Sequence, residues 1–288
     1  MENIKIGILG GSGFYKLENI KIIDQIELDT AFGKPSAPYF IGEYNNIKLA
    51  FLARHGSKHQ YSPTEINYKA NIYGFKKLGV DIIISFSAVG SLQEQYKPGD
   101  FVIIDQFFDR TKHRDDTFFK NGIVAHVQFG DPVCPILRNT ILQSSKHTNI
   151  TIHDKGTYVC MEGPAFSTRA ESLFYQSNNF SVIGMTNLTE AKLAREAEIH
   201  YATVAMVTDY DCWHIGEEEV SVDLVVKTLQ TNTKNAQKLL INILDNINFE
   251  NFKNCKCGNS LQNAIISNLK EIPEDTKNNL YEILKKYL

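Results

Sequence analysis

The sequence predicts an α/β fold, and three observations carry that prediction. Short apolar runs of strand length recur at 4–9, 47–52, 81–86, 100–105, 157–161, 182–185 and 201–208. Helical patterns lie between several of them, an alternation that builds a sheet covered by helices. With 288 residues, 43% of them hydrophobic, the chain supplies ample core, and no internal repeat, Pro-rich linker or low-complexity block divides it.

In chain order, the first run exits into Gly10-Gly11-Ser12-Gly13, where glycines permit close backbone approach and the amides and Ser12 hydroxyl can hold an anion. The same turn also fits a plain strand exit, and it matches neither G-x-G-x-x-G nor a Gly-Lys-Ser/Thr cradle. The second run ends at Ala53-Arg54-His55-Gly56. Arg54 suits bidentate contact with phosphate oxygens, and His55 adds a donor. Ser62-Pro63-Thr64-Glu65 reads as a helix start, with an N-cap, a proline at N1 and a glutamate at N3. The third run ends at Ser85-Phe86-Ser87-Ala88-Val89-Gly90-Ser91, where small hydroxyl residues and a glycine can expose backbone amides. Three such strand ends can form one anion site, because open α/β sheets bind ligands beyond their strand ends.

The run 157–161 leads into Glu162-Gly163-Pro164-Ala165-Phe166-Ser167-Thr168-Arg169, and Thr168-Arg169-Ala170-Glu171 is a capping box that opens a helix. Phe166 offers a flat face to a ligand or a side chain to the core, and Met185, beside Thr186 at the next strand end, has the same two readings. The last run ends at Val207-Thr208-Asp209-Tyr210-Asp211-Cys212-Trp213. On a strand, carboxylates at i and i+2 point to one side. Two neighbouring acids resist ionising together, so one keeps a proton and donates, and such a pair reads the N6 donor and N7 acceptor of an adenine edge. Taken singly, the same acids also fit turn or capping roles. From Ser221 onward, Val222, Val225, Val226, Leu229, Ala236, Leu240, Ile243 and Ile247 keep a helical period. Beyond it the sequence turns polar, and two short helical patterns close a tail over 249–288.

A net charge of −3 without a dense Lys/Arg stripe argues against nucleic acid or an anionic membrane as partner and favours a small molecule. The start Met-Glu-Asn lacks signal-peptide order and no apolar run reaches a membrane span, so a cytoplasmic protein is expected. Five scattered cysteines, Cys134, Cys160, Cys212, Cys255 and Cys257, do not suggest a disulfide framework. Cys255-x-Cys257 fits half of a metal site, but no second pair stands near it in sequence, so free thiols or a local redox pair are the favoured reading over zinc.

These segments, with Pro98-Gly99-Asp100, Asp105-Gln106-Phe107 and Asp109-Arg110-Thr111, run in family order over residues 4–247. On them the chain resembles the purine nucleoside phosphorylase family of trimeric type, and within it the branch acting on methylthioadenosine. The resemblance implies one nucleoside phosphorylase domain over 1–288, with a central mixed, twisted β-sheet flanked by helices. It implies that phosphate, held by Ser12, Arg54, His55, Ser87, Ala88 and Thr186, attacks C1′ of the ribose, releasing adenine and 5-methylthioribose 1-phosphate. Asp209 would donate to or protonate N7 and Asp211 would accept from N6, while Phe166 lines the base site and Met185 the ribose. Val222, Val225 and Val226 would form the methylthio pocket, closed by His126 of an adjacent subunit in a homotrimer. No cofactor or metal is implied, since inorganic phosphate is a co-substrate. The alternative within the family is a broader purine nucleoside phosphorylase acting on adenosine or inosine. Members acting on 6-oxopurines carry asparagine where this chain has Asp209. The chain departs from the family at Ala165, where relatives usually have arginine, and over Asn187-Leu188-Thr189-Glu190, where a proline usually precedes the glutamate.

Overall fold

The computed structural model describes residues 4–11, 19–214 and 222–288, the last span without the side chains of 222–225 and 227. Four parallel strands form its centre: β4 (Ile47–Ala53), β1 (Ile6–Gly10), β5 (Ile82–Ser91) and β11 (His200–Asp209), side by side in that order. Antiparallel β3 (Tyr39–Tyr44) and β2 (Lys21–Ile26) extend the sheet beyond β4. On the other side of β11 lie β6 (Phe101–Ile103), antiparallel to it, and β8 (Ile152–His153). Strand β5 is long enough to change neighbours: after Ser85 its β1 partner ends, and Gly90 and Ser91 pair antiparallel with β10 (Val182–Gly184). Parallel β9 (Thr157–Met161) and β7 (Gln106–Arg110) follow. The sheet is therefore mixed.

Two helical layers cover the parallel centre, which explains its nearly unbroken apolar runs. In β11, Ala202, Val204 and Met206 join one cluster with Leu137 and Ile141 of α2 (Pro135–Ser145) and Ala236, Leu240 and Ile243 of α5 (Val222–Asn246). Tyr201, one residue out of phase, joins the opposite cluster with Ile72 and Phe75 of α1 (Tyr68–Lys77) and Leu193 and Ala194 of α4 (Asn187–Glu196). Alternate residues of one strand thus anchor both layers. The tail contributes 3-10 turns at Phe249–Phe252 and Lys256–Asn259 and helices α6 (Glu274–Asn279) and α7 (Tyr281–Leu284).

The capping box at Thr168 opens α3 (Arg169–Ser177) with both reciprocal hydrogen bonds formed. The one read at Ser62 does not open a helix. Glu65 does bond back to the Ser62 amide at 3.0 Å. The chain then leaves helical geometry at Asn67 (φ −80°, ψ 77°), whose amide donates to the Phe32 carbonyl at 2.7 Å and whose Oδ1 caps the Ala70 amide at 3.1 Å. The helix begins only at Tyr68 because Asn67 supplies a tertiary anchor and an N-cap together.

Candidate active site

Because β4, β1, β5 and β11 are parallel and adjacent, their C-terminal ends share one edge of the sheet. Gly10 stands opposite Ala53, and the next amide, that of Arg54, donates to the Gly10 carbonyl at 3.0 Å. Arg54 is buried, and its fork grips Glu190 of α4, with Nε on Oε1 at 2.5 Å and Nη2 on Oε2 at 3.1 Å. Nη2 also meets Ser85 Oγ at 2.6 Å, while Nη1 donates to the Phe86 carbonyl at 2.9 Å. The guanidinium has five N–H groups. Among the described residues only one, on Nη1, is left for a ligand. The bidentate contact read for phosphate is thus made with a carboxylate, and Arg54 presents a single donor and a fixed charge.

His55 departs from the donor role in a similar way. Its Nδ1 lies 2.8 Å from the Tyr61 carbonyl, an acceptor, so Nδ1 carries the hydrogen. Burial, and then the Arg54 charge, push its pKa down to about 4. At neutral pH the ring is uncharged and Nε2 is an acceptor, suited to a protonated phosphate oxygen rather than a bare one.

Ser87 and Ala88 lie in the stretch of β5 just before its pairing with β10, and Ser87 is buried. The chain leaving β10 runs back along β5 and brings Thr186 to the N-cap of α4 without using its hydroxyl for capping. That hydroxyl stands at the positive end of the α4 dipole. Gly184 leaves room for the Tyr158 hydroxyl, which would stand 2.0 Å from a Cβ there.

The acidic pair is brought together by a turn, not by strand alternation. Asp209 is the last residue of β11, whereas Asp211 lies beyond it with φ of 25°. The Asp211 amide folds back onto Asp209 Oδ1 at 3.0 Å, an Asx-type turn. Both acids are 7% exposed, enough burial to oppose their ionisation. Burial first, and then the Asp211 charge, raise Asp209 to about 6 against the Thr208 hydroxyl, which donates to it at 2.7 Å. Burial also raises Asp211, opposed by Ser172, whose hydroxyl donates to Oδ2 at 2.6 Å. The pair flanks Gly90: a Cβ there would meet Asp209 Oδ1 at 3.0 Å and Asp211 Cβ at 3.4 Å. Trp213 locks the turn by donating to the Ser91 carbonyl at 2.8 Å.

The remaining predicted residues are placed unevenly. Phe166 is 51% exposed on a loop tied to the acidic turn, because the Ser167 carbonyl accepts from the Cys212 thiol at 3.3 Å. Met185 packs on the backbone of Gly163, where a Cβ would lie 2.6 Å from its sulfur. Asn232 of α5 donates to the Val207 carbonyl at 2.8 Å, bringing that helix to the end of β11. Val226 is exposed, while Ser12 and the side chains of Val222 and Val225 lie outside the described residues. His126 is exposed, and its amide donates to the Ala264 carbonyl in the tail at 2.8 Å.

The profile of the Phosphorylase superfamily matches residues 5–245. The chain belongs to this superfamily. It is 51% identical over 287 residues to S-methyl-5′-thioadenosine phosphorylase of Thermosynechococcus vestitus, covering 99% of both chains. The protein of that name from Koribacter versatilis is 52% identical over 283 residues, 98% of this chain and 96% of its own. Among solved structures, a methylthioadenosine phosphorylase from an antarctic soil metagenomic library superposes with a TM-score of 0.93 at 43% identity, covering 99% of this chain and all of the other. Methylthioadenosine phosphorylase from Schistosoma mansoni in complex with adenine gives a TM-score of 0.80 at 34% identity, covering 84% and 91%.

As a phosphorylase-superfamily chain, this one carries site residues that the sequence reading passed over. Behind Arg54, Glu190 Oε2 also accepts from Ser85 at 2.9 Å and Tyr201 at 2.8 Å, and Asn187 Nδ2 donates to Ser85 at 2.8 Å and Tyr201 at 2.9 Å. Asn187 and Glu190 thus supply the buried network that holds the cation. A glutamate in an apolar helix three residues after an asparagine was the available signal. Ser85 is legible as a strand-end hydroxyl but not as the support of Arg54, and Tyr201 gives no signal, standing in a strand that reads as core.

Proposed function

We propose that this chain catalyses the phosphorolysis of S-methyl-5′-thioadenosine, releasing adenine and 5-methylthioribose 1-phosphate. The observation that carries the reading is the buried Asp209–Asp211 turn on the same sheet edge as Arg54, in a chain about half identical, end to end, to S-methyl-5′-thioadenosine phosphorylases. Bond cleavage runs ahead of attack, so positive charge grows on the ribose and negative charge on the base. Phosphate, beside the Arg54 charge, Ser87, Ala88 and Thr186, neutralises the first, with His55 Nε2 accepting a phosphate hydroxyl; Ser12 completes the cradle. Asp209, with a pKa raised to about 6, delivers a proton or hydrogen bond to N7. Asp211 accepts from N6, and Phe166 and Met185 line base and ribose.

In this reading the methylthio group meets Val222, Val225 and Val226, and the exposed His126 reaches the site of a neighbouring copy in a homotrimer. The chemistry uses no cofactor, inorganic phosphate being the second substrate. Among the described residues no helix is long and apolar enough to cross a membrane. The free cysteines fit a reducing cytoplasm.

The test is to incubate the protein with methylthioadenosine, adenosine and inosine, with and without phosphate. The account expects phosphate-dependent adenine release, fastest from methylthioadenosine. Adenine released equally well without phosphate would reject it. Comparable efficiency with adenosine or inosine would replace it with the broader purine nucleoside phosphorylase.

A further inference from the structure

We infer that Cys134, His200, Cys255 and Cys257 form a structural zinc site that staples the C-terminal tail to the body of the protein. Their donor atoms all lie within 4.8 Å of one another, and all four residues are buried. Three separate segments supply them: the N-cap of α2, the first residue of β11, and the 3-10 turn after Phe252. The sequence shows only Cys255-x-Cys257, because its partners stand 121 and 55 positions before Cys255 and meet it only through the fold.

Two of the six donor–donor edges have the lengths of a tetrahedral zinc site, and all lie within 4.8 Å. Zn–S bonds of about 2.3 Å and Zn–N bonds of about 2.0–2.1 Å require edges of roughly 3.8 Å between sulfurs and 3.5 Å between sulfur and nitrogen. Cys134 Sγ lies 3.7 Å from Cys255 Sγ and 3.4 Å from His200 Nδ1. Three thiols and one imidazole form a closed soft-donor set, which selects zinc over hard cations and leaves no position open for substrate. Val133, Phe252 and Ala202 belong to the same apolar cluster and shield the site from water.

The location assigns the role. His200 and Asp209 are opposite ends of one ten-residue strand. At about 3.3 Å per residue they stand roughly 30 Å apart, so the ion takes no part in the reaction. The tail, in contrast, needs a clamp. Its helical pieces are four, four, six and four residues long, too short to persist without tertiary anchors. Among its other polar anchors is Glu198, two residues before His200, which accepts from the Leu261 amide at 3.0 Å and from the Tyr287 hydroxyl.

Elemental analysis of the whole protein, purified under reducing conditions without chelator, tests the inference. About one zinc per chain is expected, released when a mercurial titrates the thiols, as measured with a chromogenic chelator. Cys257→Ser should lose most of that zinc and lower Tm by more than about 5 °C, with kcat/KM for methylthioadenosine near wild type below the transition. If that variant does not fold, zinc content and mercurial release of the wild-type protein decide alone. Metal-free protein after refolding with zinc present, iron in place of zinc, or a disulfide among these cysteines would each overturn the assignment. Because the readout is metal content, failure of the proposed reaction would leave it standing.

Discussion

The two ends of β11 do different work with the same resource, a fully buried strand. At its last residues the chain holds carboxylates in an environment that opposes their charge; at its first it gathers soft sulfur and nitrogen donors around an apolar seam. The first arrangement stores destabilisation for chemistry, and the second ties down a tail. Stability and reactivity should therefore separate along this one strand, and substitutions at its two ends can break or sharpen that contrast.

The largest effect on rate is expected at Asp209. Removing a positioned proton donor typically costs about 10²–10⁴ in rate, so Asp209→Asn should lower kcat/KM for methylthioadenosine by that range. Its stability should move the other way. Folding raises the Asp209 pKa from 3.8 to about 6, so ionisation opposes the native state. That cost is absent below pH 4, grows between pH 4 and 6, and is complete above it. Thermal melts at pH 8 should show the variant as stable as wild type or more so, while melts at pH 4 should show no gain. A destabilised variant at pH 8 would mean that Asp209 is a structural acid.

Next in size is Glu190→Ala, which leaves Arg54 buried and unpaired. Loss of one partner of a buried pair costs about 3–5 kcal/mol, read as a lower denaturation midpoint together with weaker phosphate use. A loss of stability with phosphate KM unchanged would detach Arg54 from the anion site. Gly90→Ala should act more mildly, since its methyl group would press on Asp209 Oδ1 at 3.0 Å and displace the pair. A fall in kcat/KM on the order of tenfold or more with little change in Tm is expected. The smallest effect falls at the other end: Tyr287→Phe removes a hydrogen bond to Glu198 and should cost about 1–2 kcal/mol with activity intact. Lost activity there would couple tail to site.

Much of the catalytic edge is legible in the sequence because each strand end carries its own polar signal next to an apolar run. Arg54-His55, Ser87-Ala88 and Asp209-x-Asp211 can be read locally, and parallel pairing brings their strands to one edge. What the residues then do with one another is not local. Arg54 appears as a bidentate phosphate ligand until Glu190, 136 positions away, occupies its fork. His55 appears as a donor until the Tyr61 carbonyl fixes its hydrogen on Nδ1. The acids appear as strand neighbours, yet an Asx turn joins them. In the same way Asn67, bonded to Phe32, moves the start of α1 past a good capping sequence. Strands β2, β3 and β7 are not legible in the sequence because they lack the unbroken apolar runs of the parallel centre. The thiol–imidazole cluster is the extreme case, since no short window of sequence contains more than half of it.

The most direct test of the acidic pair as the adenine reader is the ratio of kcat/KM for a 6-amino purine nucleoside to that for its 6-oxo counterpart, measured on wild type and Asp209→Asn with the same 5′-methylthio sugar. The account predicts a strong 6-amino preference in the wild type that falls by at least about tenfold in the variant. An equal ratio in the two proteins would contradict it.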